Sequence, residues 1–129
     1  MNKPRIRILA VAHNTLLREG ISLLIGLDGD MELVCSVSSA AEAVECFTEH
    51  RPDVILMDLD LPSGAGISAI QEILNLNSAA CIIGLLTYEW NAVGSRALRA
   101  GARACLTKDR LNDDLSSLIR SEDSLRRSQ

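Results

Sequence analysis

Short apolar runs alternate along the chain with segments in which hydrophobic residues recur every three or four positions. An uninterrupted apolar run of about four to eight residues is consistent with a strand that is covered on both faces. We predict five strands, at residues 6–11, 32–37, 53–57, 81–86 and 104–106. The third and fourth runs lack any apolar–polar alternation, so the pattern favours a parallel sheet with helices on both sides.

Helical segments are predicted after each of these strands. Asn14 can cap a helix that reaches about residue 27, and Ser39 with Glu42 forms a capping box for the next one. Three further helices are predicted, at residues 67–76, at residues 91–100 and from about residue 109 or 112 onward. A βα unit that is repeated five times predicts an α/β fold.

Chemistry in such sheets gathers beyond the carboxyl ends of the strands. Asp58 follows the third strand, Thr87 the fourth and Lys108 the fifth, whereas Ala12 and His13 follow the first. A carboxylate can accept a phosphoryl group covalently, and a hydroxyl and an ammonium can bind phosphoryl oxygens. The three groups at one sheet edge therefore indicate phosphoryl chemistry. We also expect Lys108 and Asp58 to lie within salt-bridge distance.

Length and charge narrow the choice of partners. A chain of 129 residues has the size of one domain, and we predict a folded unit at residues 1–120 and a polar tail, or the start of a linker, at 121–129. The net charge of −4 offers no basic surface for nucleic acid. No apolar run approaches the roughly 20 residues of a membrane-spanning helix. We expect this chain to contact neither DNA nor a membrane.

The four cysteines are widely spaced and form no C-x-x-C pair; they are Cys35, Cys46, Cys81 and Cys105. Three of them lie in apolar, strand-like runs, where a free cysteine behaves as a small buried hydrophobe. This interpretation is favoured over a disulfide or a metal site. We therefore expect four free thiols and a cytoplasmic protein.

Two motifs link the predicted site to a known family. Residues 52–58 read Pro-Asp-Val-Ile-Leu-Met-Asp and are followed by Leu61-Pro62 and Gly66, and residues 106–109 read Leu-Thr-Lys-Asp. With Thr87, these motifs resemble the receiver domains of two-component response regulators over nearly the whole chain. The resemblance implies a flavodoxin-like (βα)5 fold, a doubly wound parallel sheet with strand order 2-1-3-4-5.

The resemblance also implies roles for the residues at the strand ends. Asp58 matches the phosphoacceptor, Thr87 the switch hydroxyl and Lys108 the invariant lysine of the family. Residues 17–20, Leu-Arg-Glu-Gly, and 99–103, Arg-Ala-Gly-Ala-Arg, are similar to the NarL/LuxR subfamily of transcription regulators. The chain is therefore expected to be a regulatory signalling domain and not an enzyme.

The acidic pair that follows the first strand in this family is missing. That pair holds Mg²⁺, which prefers oxygen ligands and carboxylates above all. Ala12 offers no side-chain ligand, and the imidazole of His13 is a poor magnesium ligand. We therefore expect no metal site, weak Mg²⁺ binding at best, and slow or absent phosphoryl transfer to Asp58.

Two further positions depart from the family pattern. Cys105 replaces the aromatic switch residue that normally lies three positions before Lys108. The stretch between Thr87 and Lys108 is also about one residue short, which leaves Leu86 as an alternative occupant of the hydroxyl position. We therefore expect both the usual input, phosphorylation of the acceptor, and the usual readout, rotation of the aromatic switch residue, to be altered.

We expect an atypical receiver in phosphorelay signalling that controls an output, transcription above all, through protein association. The expected partners are a second copy of the chain and a histidine kinase, with DNA bound only by a helix-turn-helix domain outside this sequence. Dimerisation is expected through the face of the fourth and fifth helices or through that of the first and fifth. A dimer is expected without any phosphodonor.

Other interpretations remain open from the sequence. Asp58-x-Asp60 with Thr87 and Lys108 also resembles the haloacid-dehalogenase phosphatases, and the chain could be a purely structural dimerisation module. His13 could be a metal ligand beside Asp58, although a solvated imidazole is favoured. Asp60 is expected to face solvent. The aromatic residues after the fourth strand, Tyr88 and Trp90, could pack on the next helix or anchor a partner.

Overall fold

The computed structural model describes residues 4–88 and 92–128. Five strands and five helices alternate along this part of the chain. The strands are β1 (Ile6–Val11), β2 (Met31–Val37), β3 (Val54–Asp58), β4 (Cys81–Leu86) and β5 (Ala104–Thr107). The helices are α1 (Thr15–Gly26), α2 (Ala40–His50), α3 (Ala65–Leu76), α4 (Ala92–Ala100) and α5 (Leu111–Arg127). Single 3₁₀ turns at Pro62–Gly64 and Lys108–Arg110 precede α3 and α5.

The strands form one parallel sheet in the order β2-β1-β3-β4-β5. Helices α1 and α5 bury their apolar side chains on one face, and α2, α3 and α4 bury theirs on the other. Strands β3 and β4 are buried along their whole length, because each has a neighbour on both sides and helices on both faces. The predicted flavodoxin-like fold and strand order are confirmed.

Local side-chain chemistry sets the predicted helix boundaries. The Asn14 side chain accepts a hydrogen bond from the backbone N–H of Leu17 at 3.1 Å, and Ser39 accepts one from Glu42 at 3.2 Å. Each bond satisfies a donor that the first turn of a helix leaves unpaired. Gly101 ends α4 with a φ of 117°, a conformation that favours glycine. None of the helices in the described part of the chain has the length and apolar character of a bilayer crossing.

Helix α5 continues beyond the point where the sequence predicts a polar tail. Asp123 is buried and receives hydrogen bonds of 2.8 Å from both Arg126 and Arg127. Arg126 also lies 3.3 Å from a carboxylate oxygen of Asp53, which precedes β3. Paired charges therefore continue the buried face of the helix after the apolar residues end. Residues 121–127 belong to the helix, and a linker to an output domain remains a prediction.

Two cysteines form a disulfide, so the prediction of four free thiols is wrong. Cys35 of β2 and Cys46 of α2 are bonded, with 6.7 Å between their Cα atoms. Strand β2 lies at the sheet edge and α2 packs beside it, and this packing brings together residues whose spacing shows no motif. Cys81 and Cys105 are free, and burial raises the pKa of Cys81 to about 11.

Candidate functional site

Three strand ends position the predicted site residues together. Asp58 is the last residue of β3 and pairs in register with Leu85 of β4, so Thr87 follows at the same edge of the sheet. Lys108 comes directly after β5. Helix α3 starts close behind the acceptor, and a Cβ on Gly66 would lie 2.8 Å from the backbone oxygen of Asp58. Glycine is therefore required where α3 approaches this strand end.

Asp58 is buried and has two close partners on one carboxylate oxygen. Only 3% of the residue is exposed. Its Oδ1 atom lies 2.9 Å from the ammonium of Lys108 and accepts a hydrogen bond of 2.9 Å from the backbone N–H of Asp60. The salt bridge that the sequence predicts is therefore present. A buried carboxylate needs such partners, because its isolation from water would otherwise be costly.

Asp60 is exposed, as expected, with half of its side chain accessible to solvent, but it also contacts the same cluster. Its Oδ2 atom lies 3.0 Å from the ammonium of Lys108 and accepts a hydrogen bond from the hydroxyl of Thr87. Lys108 also lies 3.1 Å from the Thr87 oxygen. Asp58, Asp60, Thr87 and Lys108 therefore form one connected group, which we call the strand-end cluster. The Asp-x-Asp spacing was the available signal for Asp60.

The charges in the cluster stabilise one another. Partial burial opposes ionisation of Asp60, but the hydrogen bonds from Thr87 and Lys108 and the lysine charge outweigh it, so the pKa of Asp60 lies below its ordinary value. Burial likewise opposes the charge on Lys108. The two carboxylates outweigh this effect and raise the lysine pKa. Asp60 and Lys108 are both charged at neutral pH.

The end of β1 is chemically different. Ala12 is buried and His13 is exposed. The guanidinium of Arg18 donates hydrogen bonds to the backbone oxygens of Ala12 at 2.7 Å and His13 at 3.2 Å. A positive charge therefore lies against the backbone at the β1 end, where neither side chain is acidic. Within residues 4–88 and 92–128, no group of three or more His, Cys, Asp or Glu side chains could hold a metal ion.

The residues at this crevice do not suit Mg²⁺. A magnesium ion requires oxygen ligands with room for its remaining waters. The one buried carboxylate, Asp58, is already paired with Lys108, and the β1 end contributes a guanidinium instead of an acid. A divalent cation that used this carboxylate would have to displace the ammonium of Lys108.

The positions that depart from the family pattern differ in their surroundings. Thr87 lies beside Lys108 in the strand-end cluster, whereas Leu86 is buried in the core. Cys105 is half-buried, with its sulfur 4.0 Å from the backbone oxygen of Gly94 in α4. Tyr88 is 75% exposed, so it does not pack against the helix that follows. Trp90, for which the sequence left the same choice, lies outside the described residues.

Comparison with known proteins identifies the family. Residues 8–120 match the response regulator receiver domain. This region covers most of the chain and includes every residue of the strand-end cluster. The chain belongs to the response regulator receiver domain family.

Individual relatives and solved structures agree with this assignment. The chain is 32% identical over 120 residues to the "Uncharacterized transcriptional regulatory protein YxjL" of Bacillus subtilis, covering 93% of this chain and 55% of that protein. It is 30% identical to the response regulator domain of Thermotoga maritima CheB, with a TM-score of 0.85 and coverage of 93% and 97%. A LuxR-family response regulator from Aurantimonas sp. is 28% identical, with a TM-score of 0.81 and coverage of 97% and 87%. The chain spans about half the length of the curated relative.

Proposed function

We propose that this chain is an atypical receiver domain, in which phosphorylation of Asp58 is weak or absent and association with other proteins carries the signal. The observation that supports this proposal most directly is the salt bridge of 2.9 Å between Lys108 and the buried Asp58. Phosphoryl transfer to a carboxylate needs positive charge on the transferring oxygens, which a metal ion normally supplies at several kcal/mol. Here the lysine neutralises the acceptor itself, and the β1 end holds no acid.

The covalent chemistry can be tested by intact mass. The protein is incubated with acetyl phosphate, with and without Mg²⁺, and weighed, with Asp58→Asn as the matched control. We expect no Mg²⁺-dependent gain of a phosphoryl group in the unsubstituted protein. A clear Mg²⁺-dependent gain that Asp58→Asn abolishes would overturn the proposal. Turnover of a generic aryl phosphate would instead support the phosphatase alternative.

The exposed apolar residues favour a homodimer through α1 and α5. Leu16, Leu23 and Leu27 of the α1 region are 76%, 74% and 80% exposed, and Leu125 of α5 is 53% exposed. Leu16, Gly20, Leu23 and Leu27 follow a spacing of four, three and four residues, the repeat that forms a seam between two helices. Exposed apolar groups that share one helix face typically mark a protein interface. This seam favours the first and fifth helices over the face around Tyr88.

Sedimentation of the untreated protein tests the dimer. We expect a dimer at micromolar concentration without phosphodonor, and Leu23→Glu should give a monomer, because it places a charge within the seam. Leu76→Glu, at a leucine of α3 that is 49% exposed, is the matched control and should leave the dimer intact. A strict monomer that dimerises only after phosphodonor is added would refute this assignment.

The remaining parts of the proposal follow from the family. Transcription is the proposed output, because the relative YxjL is a transcriptional regulatory protein. The net charge of −4 assigns any DNA contact to a helix-turn-helix domain outside this chain. A histidine kinase is the proposed upstream partner and the cytoplasm the proposed location. The domain itself is proposed to be a non-enzymatic signalling module.

A further inference from the structure

The carboxylate of Asp60 stands in an unusual position relative to the acceptor. The backbone N–H of Asp60 bonds the Oδ1 atom of Asp58, and this turn directs the Asp60 side chain back across the same strand end. Its Oδ2 atom then receives both the hydroxyl of Thr87 and the ammonium of Lys108. One oxygen therefore contacts both side-chain donors of the strand-end cluster.

We propose that Asp60 is a positioning residue that takes the place of a phosphoryl group on Asp58. A phosphoryl group presents anionic oxygens that accept charge-assisted hydrogen bonds, and a carboxylate presents the same kind of acceptor. The inference rests on the proposed function, because a resident carboxylate matters only where Asp58 is not phosphorylated. Asp60 therefore holds the hydroxyl of Thr87 close to Lys108 in the absence of phosphate.

The position of Asp60 also excludes competing anions. Its negative charge lies beside the only ammonium in the strand-end cluster, and both donors are already used. An incoming phosphate would have to displace this carboxylate and would be repelled by it. The hydroxyl of Thr87 is therefore held beside Asp60 and Lys108 without a phosphodonor.

Inorganic phosphate can replace the carboxylate in a designed experiment. Asp60→Ala removes the acceptor, Asp60→Asn removes only the charge, and Asp109→Asn is the matched control, since Asp109 is an exposed acid next to Lys108. NMR signals of Thr87 and Lys108 are followed during phosphate titration. We expect phosphate to bind Asp60→Ala at least about fivefold more tightly than the unsubstituted protein, a factor that corresponds to roughly 1 kcal/mol. Asp60→Asn should be intermediate and Asp109→Asn unchanged.

The direction of the spectral changes distinguishes a positioning role of Asp60 from a structural defect caused by the substitution. In Asp60→Ala the Thr87 signals should shift, and saturating phosphate should return them toward those of the unsubstituted protein. A structural defect would not be repaired by an anion. Unchanged Thr87 signals, or equal phosphate affinity in all four proteins, would overturn the inference while the acetyl phosphate test still stands for the proposed function. A phosphoryl gain on Asp58 in that test would instead defeat the proposed function itself.

Discussion

The two halves of the crevice differ in which of the family's site residues they contain. At the ends of β3, β4 and β5, the acceptor carboxylate, the hydroxyl and the lysine are all present, and every one has a partner within 3.1 Å. At the end of β1, the acids that would hold a metal are absent and Arg18 covers the backbone oxygens of Ala12 and His13. The ends of β3, β4 and β5 carry the residues that match the family's phosphoryl-binding groups. The end of β1 lacks the acids that match the family's metal ligands.

Under the proposed function, this difference explains how the strand-end cluster can persist in a receiver domain whose Asp58 is not phosphorylated. The retained groups balance one another, since a lysine between two carboxylates satisfies a buried charge that would otherwise be costly. The β1 half has no acidic side chains whose charge must be balanced. Acids at that position would need a bound cation to neutralise them. Charge balance within the fold is therefore a reason to keep Asp58 beside Lys108 that does not depend on phosphorylation.

Removing the lysine should have the largest effect on this balance. Lys108→Met keeps the aliphatic stem but leaves Asp58, with 4% of its side chain exposed, as a buried charge with one remaining N–H partner. Breaking a buried pair costs about 3–5 kcal/mol, and the partial exposure of Lys108 places the expected loss at about 2–3 kcal/mol. Urea unfolding at neutral pH measures it.

Substitution of the other partner, Asp58, should lower the free energy of unfolding much less. The difference between the two variants is the control. In Asp58→Asn the lysine retains Asp60, and the amide oxygen can still accept the Asp60 N–H, so we expect a loss under about 1 kcal/mol. Equal losses in Lys108→Met and Asp58→Asn would contradict the view that the lysine is the main partner that stabilises the buried Asp58 carboxylate.

Restoring the lost half should restore metal binding. Ala12→Asp with His13→Asp supplies two carboxylates at the β1 end, and we expect Mg²⁺ to bind at least tenfold more tightly, a gain of about 1.4 kcal/mol or more. NMR shifts around Asp58 during a Mg²⁺ titration measure the affinity. Ala12→Asn with His13→Asn is the matched control, with the same shape and no charge. Saturation of the unsubstituted protein in the low-millimolar range would show that the β1 acids are not needed.

The fold and three members of the cluster could be predicted from the sequence. Apolar runs specify buried strands, and a parallel sheet places their carboxyl ends at one edge, so Asp58, Thr87 and Lys108 had to converge. The contacts of Asp60 with Thr87 and Lys108 were not predicted, because they depend on the backbone turn that follows β3. The Asp-x-Asp spacing pointed to the residue but did not specify this turn.

Two other features depended on packing that the pattern does not encode. The disulfide between Cys35 and Cys46 arises from the contact of α2 with an edge strand. The end of α5 is held by Asp123 and its arginines, although hydrophobic periodicity fails there. Polar pairs that substitute for apolar contacts are invisible to a pattern of hydrophobic residues.

The smallest expected effect is the pH dependence of the Asp60 contribution. The pKa of Asp60 is lowered in the folded protein, so its stabilisation is present above its unfolded value of 3.8 and is lost as pH falls through the folded value. The pKa of Lys108 is raised, so its contribution is complete below 10.5 and is lost only as pH rises through its folded value.

Because Asp60 has half of its side chain exposed, we expect Asp60→Ala to lower stability by less than about 1 kcal/mol. This deficit should be constant between about pH 5 and 8 and should shrink in acid below 3.8. Urea unfolding of both proteins across this range measures it. A deficit that grows as the pH falls would mean that the Asp60 carboxylate does not stabilise the crevice.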